Sequence, residues 1–190
     1  IGCALGGTKT QKAKIALALV EELGGYPQAS IIGGPRTSYA LAAFVNAELI
    51  NALDYDYNGP LGGHVCPYVA PPCFSIAERQ NASGKALILA LALAHEIGGR
   101  MLNSLAQQKI PKDGPPYYEE SPRYSFSYSV FGGVAGAGKL LGLDVDKMRN
   151  VFGIAGASTA VPGGMKWART GGPAIMLKFG AWTGWISQLA

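Results

Sequence analysis

The 190 residues are 48% hydrophobic and only 15% charged, which excludes a disordered chain and suffices for one domain with a sizeable core. Sixteen Lys and Arg against twelve Asp and Glu give a net charge of +4. The basic residues are scattered singly, a pattern that speaks against nucleic-acid binding and is compatible with a small anionic ligand. Three cysteines without C-x-x-C spacing argue against a disulfide scaffold or structural zinc and fit a reducing, cytoplasmic setting. The longest strictly apolar run, "ALILALALA" at 86–94, is far short of the roughly 20 residues of a membrane span.

In chain order, "KTQKAKIALALVEEL" at 9–23 has helical apolar spacing and ends at Gly24-Gly25, so it predicts an amphipathic helix. "ASII" before Gly-Gly-Pro is at most a short strand. Thr37 or Ser38 can cap a second helix through "ALAAFVNAELINAL" to about residue 53. Pro67 suits the first turn of a third helix, which Pro71-Pro72 is expected to interrupt. Ser83 caps a long helix over about 85–107. Residues 109–125 form a polar, proline-rich loop, followed by "VFGGVAGAGKLLGL" and a helix that Asp144 caps. A last helix begins at "AIMLKFGAW". Glycine, 27 of 190, is about twice its usual ~7% share. Interleaved with alanine on helical patterns, it points to helices packed with their backbones close. The fold class expected is all-α, one multi-helix domain. The chain opens inside "IGCALGG" and closes inside "GWISQLA" without cap or stop signal, so it reads as a piece of a longer protein, truncated at both ends.

Three motif matches fail on their chemistry. "GVAGAGKL" at 133–140 resembles a phosphate-binding loop, but Leu140 stands where Ser or Thr would hold magnesium, and its glycines lie in a helical small-residue pattern. "HEIGG" at His95 lacks the second histidine of a zinc-binding helix, since Gly99 takes its place. "NAS" at Asn81 matches a glycosylation acceptor, but Ser83 as a helix cap explains it more simply.

One stretch stands apart. "NALDYDYNGPLGGHVCPYVAP" at 51–71 puts Asp54, Asp56 and His64 within eleven residues, spaced by tyrosines, glycines and a proline. Asp54 falls at the C-terminal end of a helix, where the macrodipole disfavours a carboxylate. Gly59, Gly62 and Gly63 let the chain turn and bring His64 back towards the aspartates. A carboxylate beside an imidazole fixes its tautomer and prepares it as a general base. A plain helix-to-helix loop with a solvated histidine is the other reading, and spacing alone leaves both open.

The chain resembles the N-terminal helical domain of the MmgE/PrpD family, which contains 2-methylcitrate dehydratase, cis-aconitate decarboxylase and iminodisuccinate epimerase. "IGCALGG" and "ELGGYPQASIIGG" are similar to the family's opening helix and turn. "ALAAFVNAELINALDYDY" resembles its Ala-rich helix running into D-[FY]-D. "SIAERQNASGKALILALALAHEIGGR" resembles its A-E…S-G-K…E-x-x-x-R segment, and "AGKLLGLDVDKMRNVFGIAGA" its K-L-L-G-L…A-L-G-I-A-G segment. By this resemblance residues 1–190 are part of one helical N-terminal domain, and a second, α+β domain lies outside the chain.

The resemblance implies that Asp54, His64 and Lys178 are active-site residues: His64 moves a proton beside a substrate carboxylate, Asp54 orients it, and Lys178 holds a carboxylate. Asp56, Asn58, Arg169 and Lys166 are candidate substrate-binding residues. No metal or organic cofactor is needed for such steps. The implied activity is dehydration of a 2-methylcitrate-like hydroxy acid, as in propionate metabolism, by a cytoplasmic homodimer. An epimerase and a decarboxylase are alternatives, and a non-catalytic helical oligomerisation or binding domain is an alternative of another class. Three departures stand out: Tyr57 replaces a third acid, Asn58 replaces a threonine, and "PRYSFSYSV" lacks the family's second histidine. Arg100 is expected to pair with Glu96 at i,i+4. Trp167, Trp182 and Trp185 are expected to pack. A Cys66/His64 nucleophile pair is disfavoured by its adjacent positions.

Overall fold

In the computed structural model Thr10, Ser38, Ser83 and Asp144 each cap the start of a helix. The structure describes residues 1–57, 64–105, 108–109, 112–114, 117–118 and 129–158. After α1 (Gly2–Gly7), α2 (Gln11–Leu23) begins at Thr10, whose hydroxyl accepts from the Ala13 amide, and stops at Gly24 with φ of 66°. The strands β1 (Ala29–Ser30) and β2 (Arg36–Thr37) form a short antiparallel hairpin with Ala29 opposite Thr37. Ser38 caps α3 (Tyr39–Asn51), accepting from the Leu41 amide. Then come α4 (Cys66–Arg79) and α5 (Gly84–Leu105), the latter capped by the Ser83 hydroxyl. Helix α6 (Val130–Leu140) precedes α7 (Val145–Ser158), which Asp144 caps by accepting from the Lys147 amide at 2.8 Å.

The fold is all-α, as expected, and the ends of α2, α3, α5 and α7 agree with the sequence reading to within about two residues, while the last expected helix lies outside the described residues. Two local expectations fail. Pro71 and Pro72 do not interrupt α4, because every residue from Pro67 to Cys73 is buried and the surrounding helices hold the turn that two missing N–H groups weaken. Within the segment read as a loop, β3 (Gln108–Lys109) pairs antiparallel with β4 (Tyr117–Tyr118), a backbone pairing that apolar alternation over two residues cannot announce.

Helix α3 lies at the centre of one half, packed by α1, α2 and α4. Of its thirteen residues only Tyr39 and Leu41 escape full burial, so it has no polar face. Its Val45 and Leu49 share a core with Val20 of α2 and with Ile31. Helix α4 links this half to α5 and α6, where Val69, Cys73, Ala90 and Ala94 pack, and α6 joins α7 through Val134, Val151 and the stacked rings of Phe131 and Phe152, 5.9 Å apart. A Cβ on Gly132 would strike the Ala94 carbonyl and Gly98, so the α5–α6 seam closes only around glycine. The P-loop-like "GVAGAGKL" is thus the interior of a packing helix. His95 Nδ1 sits 2.8 Å from the Leu91 carbonyl of its own helix, and Arg100 pairs with Glu96 at 2.5 Å. Among the described residues no helix is long and apolar enough to cross a membrane.

Candidate active site

The site forms where α3 runs out. Beyond the C-cap Ala52, Asp54 adopts φ of 52°, a left-handed conformation that Asp tolerates better than most non-glycine residues. Its amide donates to the Asn51 carbonyl at 3.0 Å, and the reversal turns the next residues back onto the helix end. Asp56 is thereby driven inside, its side chain 1% exposed, while Asp54 stays 71% exposed. His64, two residues before α4, reaches the same place from the other side because α4 packs on α3.

The three side chains meet. His64 Nδ1 lies 2.9 Å from Asp56 Oδ2, and His64 Nε2 lies 3.4 Å from Asp54 Oδ1. The other Asp56 oxygen accepts from Asn51 Nδ2 at 2.8 Å, and the same amide reaches Asp54 Oδ1 at 3.3 Å. Burial alone would raise the Asp56 pKa. The hydrogen bonds from His64 and Asn51, with the histidine's charge, outweigh burial and hold the carboxyl below its ordinary 3.8. Asp56 is therefore an acceptor only at neutral pH, so Nδ1 carries a proton and Nε2 is the nitrogen that exchanges one. At 21% side-chain exposure His64 is sheltered but reachable.

Sequence reasoning gave the orienting part to Asp54. In the structure Asp56 is the nearer and deeper partner, and Asp54 faces the reactive nitrogen. Asn51 went unremarked in the sequence, as did Lys12 and Glu48 behind it. The signal for Asn51 and Glu48 is a Glu and two Asn inside "FVNAELIN", an otherwise apolar helix. Lys178, Lys166, Arg169 and Asn58 lie outside the described residues. Cys66 is no nucleophile: burial, then the Asp56 charge, push its thiol up to about 11, leaving it protonated. The oxygen and nitrogen atoms that Asp54, Asp56 and His64 offer lie within 4.8 Å of one another, a gap that one water, substrate oxygen or cation can bridge.

A model of the MmgE/PrpD N-terminal domain matches residues 1–179. The chain belongs to the MmgE/PrpD family. No curated protein matches it. The matched span of this MmgE/PrpD domain includes the end of α3, the aspartate turn and His64.

Proposed function

We propose that this MmgE/PrpD domain carries the proton-transfer half of a lyase-type active site for a small di- or tricarboxylate. The observation that supports it is the His64–Asp56 hydrogen bond at 2.9 Å, with Nε2 turned to the exposed side where Asp54 stands. A buried carboxylate behind an accessible imidazole is the arrangement of a prepared general base.

In this reading His64 Nε2 takes a proton from the carbon next to a substrate carboxylate. The electron pair moves towards that carboxylate and then forms the alkene, as the hydroxyl on the neighbouring carbon takes the proton from His64 Nε2 and departs as water. Lys178 would hold the carboxylate on which charge develops, with Lys166, Arg169 and Asn58 as further binding groups. Asp54 restricts the approach to Nε2 and helps to hold the imidazole once it is protonated. The reaction favoured is dehydration of a 2-methylcitrate-like hydroxy acid by a homodimeric enzyme. Epimerisation of an iminodisuccinate-like substrate would return the proton to the other face, and decarboxylation would lose carbon dioxide in place of water.

The test is incubation of the full-length protein in D2O with 2-methylcitrate, citrate, cis-aconitate and iminodisuccinate, followed by proton NMR. Substrate loss with new alkene protons establishes a dehydratase. Deuterium uptake without loss of a group establishes an epimerase. Silence across the panel leaves the helical domain as a non-catalytic oligomerisation or binding module. His64→Gln should lower turnover by about 10²–10⁴-fold with the circular dichroism spectrum retained, and unchanged turnover removes His64 from the mechanism.

A further inference from the structure

A polar chain runs inward from His64 to a fully buried ion pair. Lys12 of α2 and Glu48 of α3 meet at 2.7 Å with side chains 5% and 0% exposed. Lys12 Nζ also donates to Asn51 Oδ1 at 3.3 Å across 39 residues of sequence. Asn51 donates in turn to Asp56, and Asp56 holds His64. Burial and the Glu48 charge both raise the pKa of Tyr68, so its phenol stays protonated beside this pair.

A buried ion pair is a poor way to gain stability, since apolar residues of the same volume often do as well or better. What the pair supplies here is direction. An amide side chain can present oxygen or nitrogen to a neighbour, and only its partners decide which. Lys12 is a donor without acceptor capacity, so it captures Asn51 Oδ1. That leaves Nδ2 aimed at Asp56, which accepts it. With one oxygen held by Asn51, Asp56 has its other oxygen fixed in line with His64 Nδ1.

We propose that Asn51, oriented by the Lys12–Glu48 pair, is a positioning residue that sets the His64 tautomer through Asp56. This rests on the reading of His64 as the proton-transfer group, but its test does not depend on turnover. Long-range 1H–15N spectra of the labelled protein report which ring nitrogen carries the proton. His64→Gln identifies the resonance, and His95, the other histidine of the chain, is an internal reference. Neutral His64 is expected as the Nδ1–H form. Asn51→Leu removes the amide at similar volume and should shift His64 towards the Nε2–H form preferred by free imidazole, leaving His95 unchanged. Turnover should fall about 10–100-fold in kcat with little change in KM, the range for losing an outer group that orients a functional histidine. Should Asn51→Leu fail to fold, Asn51→Asp keeps the acceptor for Lys12, removes the donor to Asp56, and is read by the same spectra. Retention of the Nδ1–H form in the folded variant overturns the proposal, as does a native His64 already in the Nε2–H form. If no polycarboxylate is turned over, the proposed function falls while the spectra still decide the part of Asn51.

Discussion

Lys12–Glu48 and Arg100–Glu96 are ion pairs of similar length, 2.7 and 2.5 Å, in opposite surroundings. The first is buried between α2 and α3 and continues into the site. The second lies along the outer face of α5 with side chains 75% and 55% exposed. In water the attraction of two charges is nearly cancelled by their solvation, and long side chains lose entropy on pairing. Inside, neither charge can be left alone without a large penalty, so each makes the other indispensable. Similar geometry therefore carries very different consequences.

The largest effect expected is from breaking the inner pair. Glu48→Ala should destabilise the fold by about 3–5 kcal/mol in urea unfolding, because it strands the Lys12 ammonium. Replacing both partners, Lys12→Met with Glu48→Leu, should recover most of that stability, since no lone charge remains. A double variant as unstable as the single one would mean that the pair itself, and not the stranded charge, supports the fold. Next is the seam that has no charges. Gly132→Ala should cost about 1–3 kcal/mol, because the added methyl must push α6 off the Ala94 carbonyl.

A smaller effect is set by pH. The folded pKa of Asp56 lies below the 3.8 of an ordinary aspartate, so its contribution is fully present above that value. It is lost as pH falls through the lower folded pKa. Urea midpoints should therefore drop more steeply below about pH 4 in the native protein than in Asp56→Asn. Parallel curves would show that Asp56 is not held as described. The smallest effect is at the outer pair, where Arg100→Ala should change stability by less than about 0.5 kcal/mol. Activity is expected to persist in EDTA, and a loss restored by a divalent cation would reassign the Asp54, Asp56 and His64 cluster to metal binding.

The same contrast marks what the sequence makes legible. Ser38, Ser83 and Asp144 each announce a helix start because a cap acts over three residues. The D-Y-D turn and His64 are close enough in sequence to be read as a group. The split between a sunken Asp56 and an exposed Asp54 depends on a left-handed residue at 54 and on α4 lying against α3, and no local pattern encodes either. Lys12 reads as one more charge on an amphipathic helix, because its partners Glu48 and Asn51 come from α3, Asn51 lying 39 residues away in sequence. Pro71 and Pro72 break local rules, and burial overrides them.

The left-handed backbone at Asp54 has a consequence for how the domain can change. Most side chains would add strain there whatever their chemistry, so Asp54→Ala alters backbone and charge together. Asn and Gly are the residues most at home in that conformation. Asn differs from Asp by a single nucleotide in its codon. Such a step would remove the carboxylate facing the imidazole and leave the turn undisturbed, giving a drifting gene a route to a well-folded relative with altered proton chemistry.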